Sequence, residues 1–207
     1  ATLHLYRQGR QRHDRRSIYD LAYRKPEPLV ARRDIFEVGE RMLADGSVLT
    51  ALDPAELDRL IEAQLRPGAY EAVAIAFLNS YANPAHEHRV ADIVRAGLPG
   101  LLVTCSSDVA REFREYERTS TTVLSTYVQP VMAGYLARFQ ARLAEAGFKG
   151  RLNVMQSNGG LMPAAGMALN AVTALFSGPA AGVMGATRLA GLSGYRNLIT
   201  FDMGGTS

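Results

Sequence analysis

The chain has 207 residues, 47% hydrophobic and 21% charged, which is apolar enough for one domain or two small ones and excludes global disorder. Its 19 glycines and nine prolines follow no fixed period, so collagen-like, low-complexity and solenoid architectures are excluded as well. The net charge of +3 is an excess at one end, because residues 1–33 hold nine Lys/Arg against three Asp/Glu and the remainder is slightly acidic.

That basic end carries no aromatic interleaving and no nucleic-acid-binding motif, so no nucleic-acid partner is expected. The longest apolar runs fall far short of the roughly 20 residues that span a bilayer. No apolar signal region follows the basic N-terminus, and no membrane association is expected. Together with a single cysteine, Cys105, which has no internal disulfide partner, this fits a cytoplasmic protein.

In chain order, the stretch up to about Asp53 reads as loops and short strands. Each proline of Lys25-Pro26-Glu27-Pro28 pushes its predecessor into an extended conformation, and Ala44-Asp45-Gly46-Ser47 signals a turn ahead of Val48-Leu49. A helix is predicted over 54–65, with Asp53 as N-cap, Pro54 first, and Leu57, Leu60, Ile61 and Leu65 on one face. Residues 72–78 form an uninterrupted apolar run of strand length, a candidate central strand. After a polar break, Pro84 opens a second helix to about Ala96, and residues 101–105 form the next strand. Residues 113–147 read as helix, with Val123, Tyr127, Val131, Tyr135 and Phe139 at four-residue spacing, a kink or restart at Pro130 and a stop at Gly147. Short strands follow at 152–155, 174–176 and 198–201, with a helix over 179–190. The alternation argues for an α/β fold.

Two features carry phosphate chemistry. Phe201-Asp202-Met203-Gly204-Gly205-Thr206-Ser207 places an acid at the end of an apolar segment, then two glycines and two hydroxyls. Adjacent glycines let backbone N–H groups close on an anion, and the acid beside them suits a magnesium ion or an attacking group. A hairpin turn has the same composition. Upstream, Ser177-Gly178-Pro179-Ala180-Ala181-Gly182-Val183-Met184-Gly185-Ala186 starts a helix whose small side chains suit close backbone contact, beside a nucleotide cleft or inside any tight core. His86-Glu87-His88 is rejected as a metal pair, because helix residues two apart point in different directions; that face is expected in solvent. Cys105 lies in an apolar run and is expected to be a buried structural thiol rather than a nucleophile.

In combination these runs resemble the hydantoinase A / 5-oxoprolinase / acetone carboxylase family, within the superfamily of actin, sugar kinases and heat-shock chaperone ATPases. The resemblance rests on Arg114-Glu115-Tyr116-Glu117-Arg118-Thr119-Ser120-Thr121-Thr122, Met155-Gln156-Ser157-Asn158-Gly159-Gly160, the helix from Ser177, and the run from Phe201 to Ser207. Lys25-Pro26-Glu27-Pro28-Leu29-Val30 and Ala44-Asp45-Gly46 resemble the family's N-terminal region, so the likeness reaches from about Ser17 to Ser207. It implies a ribonuclease-H-like ATPase fold, incomplete, with a mixed sheet and flanking helices. Residues 1–112 would belong to the N-terminal region, and 113–207 would begin the core region and end in its second phosphate loop.

The resemblance also implies ATP-dependent opening of a cyclic amide of the hydantoin or 5-oxoproline type, by activation of its carbonyl. Ketone carboxylation and a non-catalytic nucleotide-binding module are the alternatives. The implied cofactors are ATP and Mg2+, with Asp202 assisting the metal and Gly204, Gly205, Thr206 and Gly178 near the phosphates. Glu117 and Arg118 would be catalytic, positioning a substrate carbonyl or carboxylate, unless they are a capping and salt-bridge cluster. Ser157, Asn158 and Gly159 would form a polar edge for substrate, unless they are a plain turn. A hydantoinase B-type partner subunit is implied too. The first phosphate loop of the family has no counterpart in residues 1–16, and the second stops at Ser207, so the chain is expected to be a fragment with little ATPase activity alone.

Overall fold

A computed structural model describes residues 28–204 and divides the chain into two compact units between Tyr127 and Val128. In the first, strands β1 (Arg41–Met42) and β2 (Val48–Thr50) pair antiparallel. The turn Ala44-Asp45-Gly46-Ser47 closes them, with Gly46 at φ +83°, a conformation glycine adopts without a side-chain clash. The Asp45 carboxylate accepts from the Ser47 N–H and hydroxyl at 2.9 and 2.6 Å.

Helix α1 (Pro54–Leu60) continues as a wider π-helical turn over Ile61–Leu65. It starts where the sequence predicts. Asp53 accepts from the Ala55 N–H at 2.9 Å, a cap that stabilises by about 1 kcal/mol. Strand β3 (Ala72–Ile75), helix α2 (Ala85–Gly97) and strand β4 (Leu102–Cys105) form a βαβ unit whose strands pair parallel, Ala72 to Leu102 through Ile75 to Cys105. Pro84 sits one residue before α2, not inside it. The predicted strand over 72–78 pairs only through Ile75, because side chains capture the backbone of Phe77: its N–H donates to Glu87 and its carbonyl accepts from Arg118. Leu57, Ile61, Leu65, Ile75, Val90, Ala91, Val94, Val103 and Cys105 form the core of this unit.

A short helix α3 (Ser106–Val109) follows β4, and then the long helix α4 (Glu115–Glu145), inside which the two units divide. Pro130 does not restart it. The missing proline N–H costs roughly 3 kcal/mol in a helix interior, and α4 carries more than three turns on either side to bear it.

The apolar stripe predicted for α4 is turned the other way. Tyr127, Val131 and Tyr135 are 64%, 76% and 54% exposed, whereas Arg118, Thr122, Ser125, Thr126 and Gln129 are buried. The hydroxyls of Thr122 and Thr126 tolerate burial because they donate to the carbonyls of Arg118 and Thr122, at 2.7 and 2.8 Å. Within the first unit Arg118 anchors this face inward, and the helical period places Thr122, Ser125 and Thr126 beside it; within the second, Gln129 Nε2 donates to the Ala168 carbonyl at 3.2 Å.

In the second unit, β5 (Asn153–Met155) and β6 (Leu161–Pro163) form an antiparallel hairpin, followed by α5 (Ala164–Leu169), a 3-10 turn over Ala171–Ala174, and α6 (Ser177–Leu192). Leu136, Ala164 and Met167 are its buried core. The strand predicted over 174–176 is absent: the 3-10 turn occupies Ala174, and Phe176 adopts φ +62°, outside the strand range. The architecture is α/β, but among the described residues the strands form three separate pairs rather than one mixed sheet.

Candidate functional site

Helix α2 carries Glu87 on the same face as Val90, Ala91 and Val94, and all four are buried. Its carboxylate accepts from the Phe77 N–H at 2.8 Å, the Ser106 hydroxyl at 2.6 Å and the Ser107 N–H at 2.9 Å. The Ser106 Oγ in turn accepts from Arg118 Nε at 3.0 Å and touches the Ser80 hydroxyl at 3.2 Å. Arg118 Nη1 donates to the Glu112 carbonyl at 2.8 Å and Nη2 to the Phe77 carbonyl at 2.7 Å. Its guanidinium lies over the Tyr81 ring, 5.8 Å from the centroid.

One serine thus links the Glu87 carboxylate to the Arg118 guanidinium, and Glu115 Oε1 lies 3.9 Å from Arg118 Nη2. Arg118 is only 2% exposed, so its hydrogen bonds serve the protein. Glu117, its neighbour, is exposed. In this fold Arg118 joins the start of α4 to the end of β3 and to Ser106.

The run Gln156-Ser157-Asn158-Gly159-Gly160 forms the tip of the β5–β6 hairpin. The Gln156 N–H donates to the Gly160 carbonyl at 2.8 Å, the Gly159 N–H to the Gln156 carbonyl at 3.0 Å, and Asn158 Oδ1 accepts from the Gly160 N–H at 2.8 Å. Gly159 has φ +82°. Ser157 ties this tip to the segment entering α6: its N–H donates to the Thr173 carbonyl at 2.8 Å and its hydroxyl donates to the carbonyls of Thr173 and Leu175. A side chain at Gly159 would meet Met184 of α6 at 3.1 Å. The fold therefore brings two runs singled out in the sequence into contact.

On α6 itself the expected close packing is not met among the described residues. A Cβ added at Gly178, Gly182 or Gly185 would have no atom within 4 Å. The small-residue face opens outward. Beyond α6, residues 195–204 have no regular structure, and Ile199, Phe201 and Met203 are 98%, 84% and 79% exposed. The strand predicted over 198–201 has no partner among the described residues, and an apolar segment needs one to satisfy its backbone. Asp202 and Gly204 are exposed there; Gly205, Thr206 and Ser207 lie outside the described residues, as do Lys25, Pro26 and Glu27.

Comparison with known proteins decides the family. Residues 4–98 match the Hydantoinase/oxoprolinase N-terminal region and residues 118–207 match Hydantoinase/oxoprolinase. The chain belongs to the hydantoinase/oxoprolinase family. It is 41% identical over 189 residues to the caprolactamase subunit alpha of Pseudomonas jessenii, an alignment covering 91% of this chain and 27% of that one. The crystal structure of the ATP-dependent caprolactamase from Pseudomonas jessenii superposes with a TM-score of 0.82 at 39% identity, covering 99% of this chain and 29% of that one. A nucleotide-free acetone carboxylase structure gives a TM-score of 0.73 at 30% identity, covering 84% and 25%. The chain spans less than a third of the length of these relatives.

Within this hydantoinase/oxoprolinase chain, the residue that sequence reasoning missed is Glu87. It was hidden between two histidines of a helix face expected in solvent, yet its spacing from Val90, Ala91 and Val94 is the signal of a buried position. His86 is also largely covered, its Nδ1 2.8 Å from Glu40, while His88 remains half exposed, 2.9 Å from Asp108. The two histidines do point to different partners. No helix among the described residues is long and apolar enough to cross a membrane.

Cys105 is buried as expected. Burial, and then the negative charge of Glu87 and Asp108, pushes its thiol up to about 12 from an ordinary 9.0. Iodoacetamide at pH 8 is therefore expected to label it slowly in the native chain and rapidly in urea; equal rates would contradict the burial. Because the folded thiol holds its proton to higher pH than the unfolded one, this group's contribution to stability is fully present below about pH 9 and lost as pH rises towards 12.

Proposed function

We propose that this chain is part of an ATP-dependent enzyme that opens a cyclic amide. The observation that carries the reading is the superposition of nearly the whole chain on an ATP-dependent caprolactamase. The contact between the Ser157 loop and α6 supports it, since the two runs come together although some 20 residues of sequence separate them. The scaffold would be the ribonuclease-H-like ATPase fold, of which the α/β units described above are a portion.

The open face of α6 fits a nucleotide: a ligand or an approaching backbone has room at Gly178, Gly182 and Gly185, where any side chain would project. In this proposal Gly178, Gly204, Gly205 and Thr206 hold phosphates and Asp202 holds Mg2+, usually through water. Bound ATP supplies a phosphoryl group that turns an amide oxygen into a better leaving group. Ser157, Asn158 and Gly159 form an edge of the substrate site, kept in shape by the bonds from Ser157 to the segment before α6. Glu117 is the exposed member of its cluster and the one with access to a substrate, whereas Arg118 positions the helix beneath it. A hydantoinase B-type subunit would complete the enzyme.

Ketone carboxylation is the second reading, favoured by the likeness to acetone carboxylase; a nucleotide-binding module without metabolic chemistry is the third. Assay of the complete enzyme separates them. ADP release coupled to ring opening of a lactam, 5-oxoproline or hydantoin is expected. Release that requires a ketone and bicarbonate instead identifies a carboxylase, and nucleotide binding without turnover on either set leaves the binding module.

A further inference from the structure

We propose that His88, Cys105 and Asp108 form a three-ligand site for a thiophilic divalent cation of the Zn2+ type. The imidazole comes from α2, the thiol from the end of β4 and the carboxylate from α3, and their ligand atoms all lie within 4.8 Å of one another. Sulfur, imidazole nitrogen and one carboxylate oxygen are a donor set that suits Zn2+ and disfavours Mg2+ or Ca2+, which take oxygen ligands. Around a tetrahedral ion with bonds of about 2.0–2.3 Å, neighbouring ligand atoms stand roughly 3.3–3.8 Å apart. His88 Nε2 and Asp108 Oδ1, now 2.9 Å apart, must therefore separate by a few tenths of an ångström. Their side chains are 48% and 58% exposed and have room to do so.

The supporting shell is already built. Glu87, beside His88 on α2, holds the Ser106 hydroxyl and the Ser107 N–H, and so fastens the segment between Cys105 and Asp108 to the helix that carries the imidazole. The Cys105 thiol donates to the Glu87 carbonyl at 3.6 Å, a weak hydrogen bond that metal binding would exchange for the metal–sulfur bond. On binding, the thiol loses its proton to solvent and the sulfur forms the metal bond; the hydrogen bond between His88 Nε2 and Asp108 Oδ1 breaks, the proton it holds passes to solvent or to Nδ1, and the freed Nε2 and carboxylate oxygen take the metal. At least one proton is released per ion, and the fourth position on the metal is open to water. Such a cation would join α2 to the end of β4 independently of the nucleotide residues.

The test is titration of the full chain with Co2+, which reports thiolate ligation by a near-ultraviolet sulfur-to-metal absorption band. One equivalent is expected to produce the band, and Zn2+ to abolish it. Cys105→Ser is expected to remove the band, and His88→Gln and Asp108→Asn each to weaken binding at least about tenfold; His86→Gln is expected to leave the titration unchanged. Far-UV circular dichroism of the apo variants shows that each is folded, and both weakening variants alter exposed side chains. Absence of a thiolate band at millimolar Co2+, or a band of unaltered affinity in both H88Q and D108N, overturns the site.

Discussion

Replacing Glu87 with leucine is expected to lower the unfolding free energy by about 3–5 kcal/mol, the cost of breaking a buried charge arrangement from one side. The substitution removes the acceptor of the Phe77 N–H, the Ser106 hydroxyl and the Ser107 N–H, and it leaves the buried Arg118 guanidinium with Glu115, 3.9 Å away, as its remaining acidic neighbour. Arg118→Met is expected to cost a similar amount, because the Glu112 carbonyl loses the Arg118 donor, the Phe77 carbonyl keeps only the Ser80 hydroxyl, and Ser106 Oγ loses the Nε donor. The double variant should be clearly more stable than the sum of the two losses predicts, since each single change strands what the other removes. Urea midpoints with unchanged slopes would measure this. Single losses below about 1 kcal/mol, the range of exposed ion pairs, would show that the network contributes little.

Asp202→Asn tests the proposed chemistry rather than the fold. In the complete enzyme, kcat for ADP release is expected to fall by about 100-fold or more, the scale on which one preorganised electrostatic group acts, with ring opening falling in parallel. The Mg2+ concentration giving half-maximal rate should rise. Stability should not change, since Asp202 is exposed outside any regular element. A variant within about threefold of the parent in kcat and Mg2+ dependence would remove Asp202 from the site.

These two residues also mark the limits of reading such a chain from its sequence. The family was legible because the Asp202 run, which alone could be a hairpin turn, stands in order with the runs at Arg114, Met155 and Ser177. The Asn158-Gly159 turn was legible too, since the positive φ of Gly159 is a local demand. What was not legible was that Ser157 reaches the carbonyls of Thr173 and Leu175, because a hydroxyl's partners 16 and 18 residues away leave no trace in spacing.

Local signals likewise set the helix capped by Asp53, the hairpin turn at Gly46 and the parallel strand pair, where capping, turn chemistry and apolar runs act over a few residues. Helix α4 shows the opposite case. Tyr127, Val131 and Tyr135 form a stripe that periodicity assigns to a core, and yet they stand in solvent while Thr122, Ser125 and Gln129 are buried. Periodicity determines that one face of a helix is alike; it does not say which face meets the protein. In the first unit that choice falls to Arg118, whose charge is stable in the interior only where Ser106, Phe77 and Glu112 offer acceptors, and those acceptors come from segments that only the folded unit brings together.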